Sequence, residues 1–229
     1  MATYPGRVSE VRLGLGGELQ ALIACPPAAV PPAGRYMSAR APAEADAPLA
    51  TPLFLTQPVQ GGFWAASPWP PSWIPGTELV LRGPLGRGFD LPQSVSRLAL
   101  AALGASPARL LPLALAAVER NCAVTLFTTA PLPGLASNIE IFPLDALGEA
   151  LSWPDLLAID LPLERLPSLR TLLGLSATQL LPCSAQVLLD TPLPCAGIGE
   201  CGACAVPSRR GTRLACVDGP VFSLEGLEW

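Results

Sequence analysis

The chain has 229 residues; half of them are hydrophobic, 14% are charged, and the formal net charge is −4. This composition predicts an ordered globular protein, long enough to bury a sizeable core in one large or two modest domains. The charged residues form no basic cluster, which argues against nucleic-acid binding. The longest apolar stretch, residues 98–118, is interrupted by Gly104, Pro107, Arg109 and Pro112, so it predicts buried strand and helix and no membrane span.

Residues 1–92 predict an antiparallel β-barrel. Short apolar or alternating segments are separated there by proline and glycine, which is the pattern of strands joined by turns. Six strands are predicted, at residues 7–15, 18–25, 35–41, 52–57, 62–66 and 77–82. Six short strands at these intervals are typical of a small closed barrel.

After Pro92 the pattern changes to strands that alternate with helices. Buried strands are predicted at residues 97–103, 123–129, 139–143 and 156–161, and helices at 107–121, 144–152 and 163–173. This alternation builds a doubly wound parallel sheet, here over residues 93–188. Residues 189–229 follow as a small module. The expected fold class is therefore an α+β multidomain protein: a barrel, a nucleotide-binding-like α/β domain and a C-terminal module.

Four of the seven cysteines lie in that last module with the spacing C-x5-C-x2-C-x11-C. They are Cys195, Cys201, Cys204 and Cys216. A [2Fe–2S] cluster needs four thiolates that converge on a compact iron pair. The loop between them contains glycines, which reach backbone conformations closed to other residues and leave N–H groups free for the cluster sulfurs. These glycines are Gly197, Gly199 and Gly202. The pattern predicts a [2Fe–2S] cluster with the four cysteines as ligands.

Structural zinc and disulfides are two alternative roles for these cysteines. Structural zinc commonly uses two close pairs or histidines, whereas this chain has a single C-x2-C pair and no histidine. Disulfides are expected in secreted proteins, but the first ten residues lack the apolar core of a signal peptide, which favours a cytoplasmic protein. The remaining cysteines, Cys25, Cys122 and Cys183, lie in apolar stretches and are expected to be small buried side chains.

Two segments resemble a known family. Residues 82–89 read Arg-Gly-Pro-Leu-Gly-Arg-Gly-Phe, and residues 197–204, Gly-Ile-Gly-Glu-Cys-Gly-Ala-Cys, are followed at 216–222 by Cys-Val-Asp-Gly-Pro-Val-Phe. Both are similar to motifs of the electron-transfer subunits of class B dihydroorotate dehydrogenases, in the ferredoxin reductase-like flavoprotein superfamily. The order barrel, α/β domain, cluster module is also that of the family. One departure is that Ala196 stands where the family places its first cluster cysteine, with Cys195 adjacent.

The resemblance also implies cofactor contacts outside the cysteine loop. It assigns the flavin end of an FAD site to six residues: Gly83, Pro84, Leu85, Gly86, Gly88 and Phe89. The arginine that meets the flavin pyrophosphate in the family is missing from residues 50–56, which removes a strong charge-assisted contact. A nicotinamide site would use Gly104 and Ser106, but a single glycine in this turn argues against NAD(P) binding. Ser106 also fits a simple helix cap.

The resemblance implies an electron-transfer subunit and not a stand-alone catalyst. It would relay electrons between a flavin or nicotinamide and a dehydrogenase catalytic subunit in a hetero-oligomer, with dihydroorotate dehydrogenase and pyrimidine biosynthesis as the expected partner and pathway. The missing arginine and glycines support an alternative, namely a cluster-carrying adaptor that binds neither FAD nor NAD(P). A zinc-stabilised structural module is the third hypothesis.

Overall fold

Six antiparallel strands close into a barrel in the first part of the chain. The structure, a computed structural model, describes residues 2–43, 49–66, 68–104, 106–130, 132, 134–176 and 178–229. The barrel strands are β1 (Thr3–Leu13), β2 (Leu19–Ala24), β3 (Tyr36–Arg40), β4 (Thr51–Val59), β5 (Gly62–Ala66) and β6 (Glu78–Leu85). Around the barrel they follow the order β1-β2-β5-β4-β3-β6. These are the six strands that the sequence predicts.

Alternating side chains fill the barrel. In β6, Leu79 and Leu81 are buried while Glu78 and Val80 face outward. The interior also contains Ile23, Met37, Leu53 and Phe63, all fully buried. Because successive side chains of a strand point to opposite faces, this pattern fixes which face of each strand is inside.

A six-stranded sheet forms the second part of the protein. Its strands are β7 (Arg97–Ala102), β8 (Ala123–Thr128), β9 (Ile139–Pro143), β10 (Leu156–Pro162), β11 (Ser184–Asp190) and β14 (Val221–Ser223), and its order is β14-β11-β10-β7-β8-β9. All neighbouring pairs are parallel except β11 with β14. The central strands β7 and β10 are nearly continuous apolar runs, as expected where both faces of a parallel sheet are covered. The predicted fold class is confirmed.

The helices are shorter than predicted. They are α1 (Leu111–Glu119), α2 (Leu147–Ala150) and α3 (Leu169–Leu172). The segment predicted as one helix over 163–173 begins instead as a 3-10 turn, Leu163–Ser168, because Pro167 lacks the N–H that an α-helix needs. Helix α1 is followed by Asn121, whose left-handed φ of 59° lets the N–H of Cys122 reach the carbonyl of Ala117. No helix of the described part is long and apolar enough to cross a membrane.

The C-terminal segment is built into the sheet. After β11, which the sequence did not predict, the chain makes a cysteine-containing loop and a hairpin of β12 (Ala205–Ser208) with β13 (Gly211–Leu214). Strand β14 then returns to pair with β11. Tyr36 of the barrel, Cys204, Cys216 and the sheet residue Ile159 belong to one continuous buried cluster. The cysteine loop is therefore held between the barrel and the sheet.

The end of β6 binds the segment that follows the last cysteine. The N–H of Arg87 donates to the carbonyl of Gly219, and the N–H of Val221 donates to the carbonyl of Arg87 at 3.3 Å. Gly86 has a left-handed φ of 70°, and a Cβ at this position would overlap the Gly219 carbonyl. The two segments that resemble the family are thus in contact, and the glycine between them allows the close approach.

Replacing Gly86→Ala tests this contact. The change adds a left-handed strain of about 1–2 kcal/mol and a steric overlap of about 1–3 kcal/mol, so we expect the free energy of unfolding to fall by about 3 kcal/mol. Gly61→Ala is the matched control, because Gly61 has a φ of 79° and nothing within 4 Å of the added Cβ. In this variant the free energy of unfolding should fall only by the amount of the left-handed strain. Urea denaturation measures both, and equal losses would show that the contact contributes nothing.

Candidate metal centre

The loop from Cys195 to Cys204 turns on residues with left-handed backbone. Gly197, Gly199 and Gly202 have φ values of 76°, 83° and 71°. Ala196, the residue added relative to the family spacing, is also left-handed at 53° and is buried. A non-glycine residue pays a steric cost for that conformation. The loop accommodates its extra residue by placing it in the turn directly before Gly197.

The sulfur atoms of the four cysteines lie next to one another. The Sγ atoms of Cys195 and Cys216 are 4.0 Å apart. The pKa of Cys195 is affected by Cys201 as well as by Cys216, and that of Cys216 by Cys204 as well as by Cys195. The N–H of Cys216 also donates to the Cys204 sulfur at 3.4 Å. The contacts form a chain from Cys201 through Cys195 and Cys216 to Cys204.

Four neighbouring thiols are the number of ligands that a two-iron cluster needs. A [2Fe–2S] cluster has four thiolate ligands, two on each of its irons. Among the described residues, no three His, Cys, Asp or Glu side chains are grouped closely enough to hold a single metal ion. The donor set, four soft sulfur atoms with neighbouring backbone N–H groups, is one that iron–sulfur clusters use and that structural zinc also accepts.

The environment of Cys195 favours its thiolate. Burial alone would raise its pKa, but the backbone N–H of Gly199, the thiol of Cys201, the N–H of Ile198 and the thiol of Cys216 together lower the pKa to about 7. These donors hydrogen-bond to the charged form and so favour it. The pKa of Cys216 is raised, first by burial and then by the adjacent Cys204 and Cys195.

The four cysteines differ in exposure. Cys204 and Cys216 are buried, Cys195 is partly buried, and Cys201 is exposed. Next to Cys195 and Cys201 is a cavity of about 720 Å³ between the loop and the outer face of the barrel. Ser38 and Arg40 of β3 and Val80 and Arg82 of β6 line its barrel side. One end of the site is therefore accessible, and the other lies in the protein core.

Tyr36 of the barrel contacts the cysteine segment from its buried side. It is fully buried, and its hydroxyl donates to the backbone carbonyl of Cys216 at 3.4 Å. Burial raises its pKa, and the nearby Cys216, Cys195 and Cys204 raise it further. The sequence pattern did not single out this residue. Its place depends on the pairing of β3 with β6, which no local pattern at Tyr36 encodes.

The residues predicted for a flavin site lie at the junction of the barrel and the C-terminal segment. Gly83 and Pro84 are in β6 behind Tyr36, where a Cβ at Gly83 would lie 2.8 Å from the Met37 sulfur. Leu85 is buried beneath the cysteine loop. Three further positions pack against other parts of the chain: Gly86 on Gly219, Gly88 on Ala33, and the partly buried Phe89 against the core. The flavin assignment for these six residues stays a prediction.

The residues predicted for a nicotinamide site lie at the carboxyl end of β7. The Ser106 hydroxyl accepts a hydrogen bond from the N–H of Ala108 at 3.1 Å, within the turn before α1. It does not cap the helix, because the N-cap residue of α1 is Leu110, which has no side-chain cap. A Cβ on Gly104 would lie 3.8 Å from a carboxylate oxygen of Asp160. That carboxylate is bound by Arg109, a residue that stood out in the sequence only as an interruption of an apolar run. The nicotinamide assignment also stays a prediction.

Comparison with known protein families identifies the segment that contains the four cysteines. Residues 195–228 match the family model of the iron–sulfur cluster binding domain of dihydroorotate dehydrogenase B. This segment contains all four cysteines of the loop. No curated protein matches the chain significantly.

Solved structures match the fold over much more of the chain. An NADH-dependent reduced ferredoxin–NADP oxidoreductase, studied for flavin-based electron bifurcation, has a TM-score of 0.74 at 18% identity, covering 98% of this chain and 90% of the other. The ferredoxin reductase of carbazole 1,9a-dioxygenase gives 0.57 at 18% identity, covering 76% and 65%. The FAD/NAD binding domain of a Vibrio cholerae nitric oxide dioxygenase gives 0.55 at 12% identity, covering 82% and 99%.

At these identities the structural matches establish the fold, and the family model identifies the cysteine segment. Together they support a role in electron transfer. The predicted resemblance is confirmed: with an iron–sulfur binding segment of that family on a ferredoxin reductase-like fold, the chain is similar to the electron-transfer subunits of dihydroorotate dehydrogenase B.

Proposed function

We propose that the protein is an electron-transfer subunit whose [2Fe–2S] cluster is held by Cys195, Cys201, Cys204 and Cys216. The observation that carries this proposal is the convergence of four thiols, three from one glycine-containing loop and Cys216 from beyond the β12–β13 hairpin. The match of residues 195–228 to an iron–sulfur binding domain supports the same ligands. When bound, such a cluster accepts and releases single electrons.

The surrounding residues would orient the ligands and set the potential of the site. The N–H of Gly199 favours the Cys195 thiolate, the N–H of Ile198 also donates to the backbone carbonyl of Cys195 at 3.3 Å, and the N–H of Cys216 donates to the Cys204 sulfur. Hydrogen bonds to ligand sulfurs stabilise negative charge and therefore tune reduction. Tyr36 fixes the backbone at Cys216 and, with Leu85, excludes water from the inner side of the loop.

The exposed edge of the loop is the proposed place of electron exchange with a partner. Cys201 is exposed there, and Ile198 and Val217 are 54% and 48% exposed although both are large and apolar. Exposed apolar side chains grouped at a functional site are typical of protein interaction surfaces. The family match favours a dehydrogenase catalytic subunit as the partner in a hetero-oligomer, namely dihydroorotate dehydrogenase in pyrimidine biosynthesis.

Chemical analysis of the anaerobically reconstituted protein tests the cluster. We expect two irons and two acid-labile sulfides per chain, and an EPR signal that appears on one-electron reduction. A bound cluster should also protect the four ligand cysteines from alkylation. One zinc per chain without sulfide would contradict the proposal and favour a structural module.

Cysteine variants test the ligand set. Replacing any one of the four with Ala should remove most of the bound iron, because a two-iron centre with three thiolates lacks a ligand. The control is Cys183→Ala, since Cys183 is a half-buried thiol that packs against the core. This variant should keep the wild-type iron content and absorption spectrum. Full cluster retention in Cys195→Ala would show that another residue supplies the first ligand.

A charge placed at the loop edge tests the docking surface. Ile198→Glu should weaken binding to a dihydroorotate dehydrogenase catalytic subunit at least about tenfold, because a carboxylate in the desolvated centre of an interface is left unpaired. Leu180→Glu is the control, because Leu180 is 85% exposed on the loop before β11. Binding measured by biolayer interferometry should be unchanged in this control. If both variants bind the catalytic subunit with equal affinity, the interface does not include the exposed edge of the loop at Ile198.

A further inference from the structure

A buried ion pair lies where sheets of this type normally bind their ligand. In open α/β sheets, ligands occupy the crevice outside the carboxyl ends of the parallel strands. Here those ends carry Gly104 after β7, Asp160 in β10 and Asp190 at the end of β11. Arg109, from the turn before α1, reaches across this edge to the two carboxylates.

All three nitrogens of the Arg109 guanidinium are bound. Its Nε and Nη2 donate to the two carboxylate oxygens of Asp160 at 2.8 and 2.5 Å. Its Nη1 lies 3.1 Å from a carboxylate oxygen of Asp190. The Asp160 side chain is fully buried, and that of Arg109 is 14% exposed. A bidentate pair of this kind is both strong and geometrically specific.

Arg109 also connects the sheet to the barrel. Its guanidinium carbon lies 5.3 Å from the ring centre of Phe54 in β4, within the range of a cation–π contact. The ring of Phe54 lies 5.7 Å from that of Tyr36, which bonds the cysteine loop. Pro52, Phe54, Arg109 and Asp190 line what is left of the crevice, a cavity of about 340 Å³. This volume is at the low end for sites of drug-sized ligands, about 300–1,000 Å³, and a dinucleotide is larger.

The charges in the crevice oppose a nucleotide. One guanidinium faces two carboxylates, so the ionised group carries a net negative charge, and three of the five guanidinium N–H donors are already used. FAD and NAD(P)H bring a negatively charged pyrophosphate, which needs donors or positive charge at this edge of the sheet. To admit it, the protein would have to break the Arg109 pair and leave the Asp160 carboxylate buried without its partner, which is strongly unfavourable.

We propose that Arg109 closes the nucleotide crevice and fastens the α/β domain to the barrel, so that this crevice takes up neither FAD nor NAD(P)H. Combined with the proposed function, on which this last step rests, it follows that no nucleotide held in this crevice exchanges electrons with the cluster.

Nucleotide binding to the cluster-loaded full chain is the first test. Isothermal titration with FAD, NADH and NADPH should show no saturable binding up to millimolar concentration, while a flavin-depleted ferredoxin reductase of the same fold binds FAD in the same assay. Stoichiometric FAD on the purified protein, or a micromolar dissociation constant for any of the three, would overturn the proposal. The iron and sulfide content is measured in parallel, so that failure of the cluster is distinguished from failure of the closed crevice.

Variants of the ion pair are the second test. Arg109→Ala should lower the melting temperature by about 10 °C, because it leaves the buried Asp160 carboxylate without its partner. The pair of changes Arg109→Met and Asp160→Leu should recover most of this loss, since it removes both charges. Arg97→Ala is the control: Arg97 forms an ion pair with Asp155 that is 2.7 Å long but largely exposed, and its removal should shift the melting temperature by at most about 2–3 °C.

Amide hydrogen exchange tests whether Arg109 stabilises the barrel as well as the sheet. If Arg109 acted only within the sheet, exchange rates in the barrel strand β4 would not change. In Arg109→Ala, amides of β4 around Phe54 should exchange faster, whereas in Arg97→Ala they should not. If Arg109→Ala is too unstable to purify, Arg109→Lys keeps the charge but loses the bidentate geometry, and it should show the same change in β4 with a smaller loss of melting temperature. An unchanged melting temperature, or unchanged exchange in β4, would contradict the proposed connection.

Discussion

The structure depends on the backbone contact between the end of β6 and the segment after Cys216. Gly86 and Arg87 lie against Gly219 and Pro220 at a distance that only glycine permits, and strand β14 continues from there into the sheet. The contact fixes one end of the cysteine loop relative to the barrel, while Tyr36 fixes its inner side. A site of four thiols needs such support, because the loop itself consists largely of left-handed turns and has few side chains to bury.

Much of the fold could be predicted from the sequence. The six barrel strands and the main strands of the sheet follow from apolar periodicity and from the proline and glycine residues that separate them. Strand β11 was not predicted because Ser184–Asp190 lies directly before the cysteines, and its partners β10 and β14 are distant along the chain. The lengths of the helices were overestimated where proline favours 3-10 turns. These errors concern tertiary pairing and helix ends, which local patterns determine least.

The candidate site was predictable only in part. The cysteine spacing and the loop glycines are local signals, and the structure brings the four sulfurs of that pattern together. Tyr36 and Arg109 were not predictable in these roles, because each acts on a partner far away in sequence: Tyr36 on Cys216, and Arg109 on Asp160 and Asp190. The glycines of residues 82–89 also have structural roles, since Gly86 is needed for contact with the C-terminal segment and Gly83 and Gly88 pack closely on Met37 and Ala33.

The insertion of β14 into the sheet bears on the order of assembly. In small zinc domains the metal supplies the folding energy, and the apo chain is unfolded. Here a strand after the last thiol pairs with β11, and Cys204 and Cys216 belong to the same apolar core as the sheet. Protein contacts on both sides would therefore hold the cysteine segment in place without a bound cluster, and the exposed side of Cys201 is the side from which the thiols are reached.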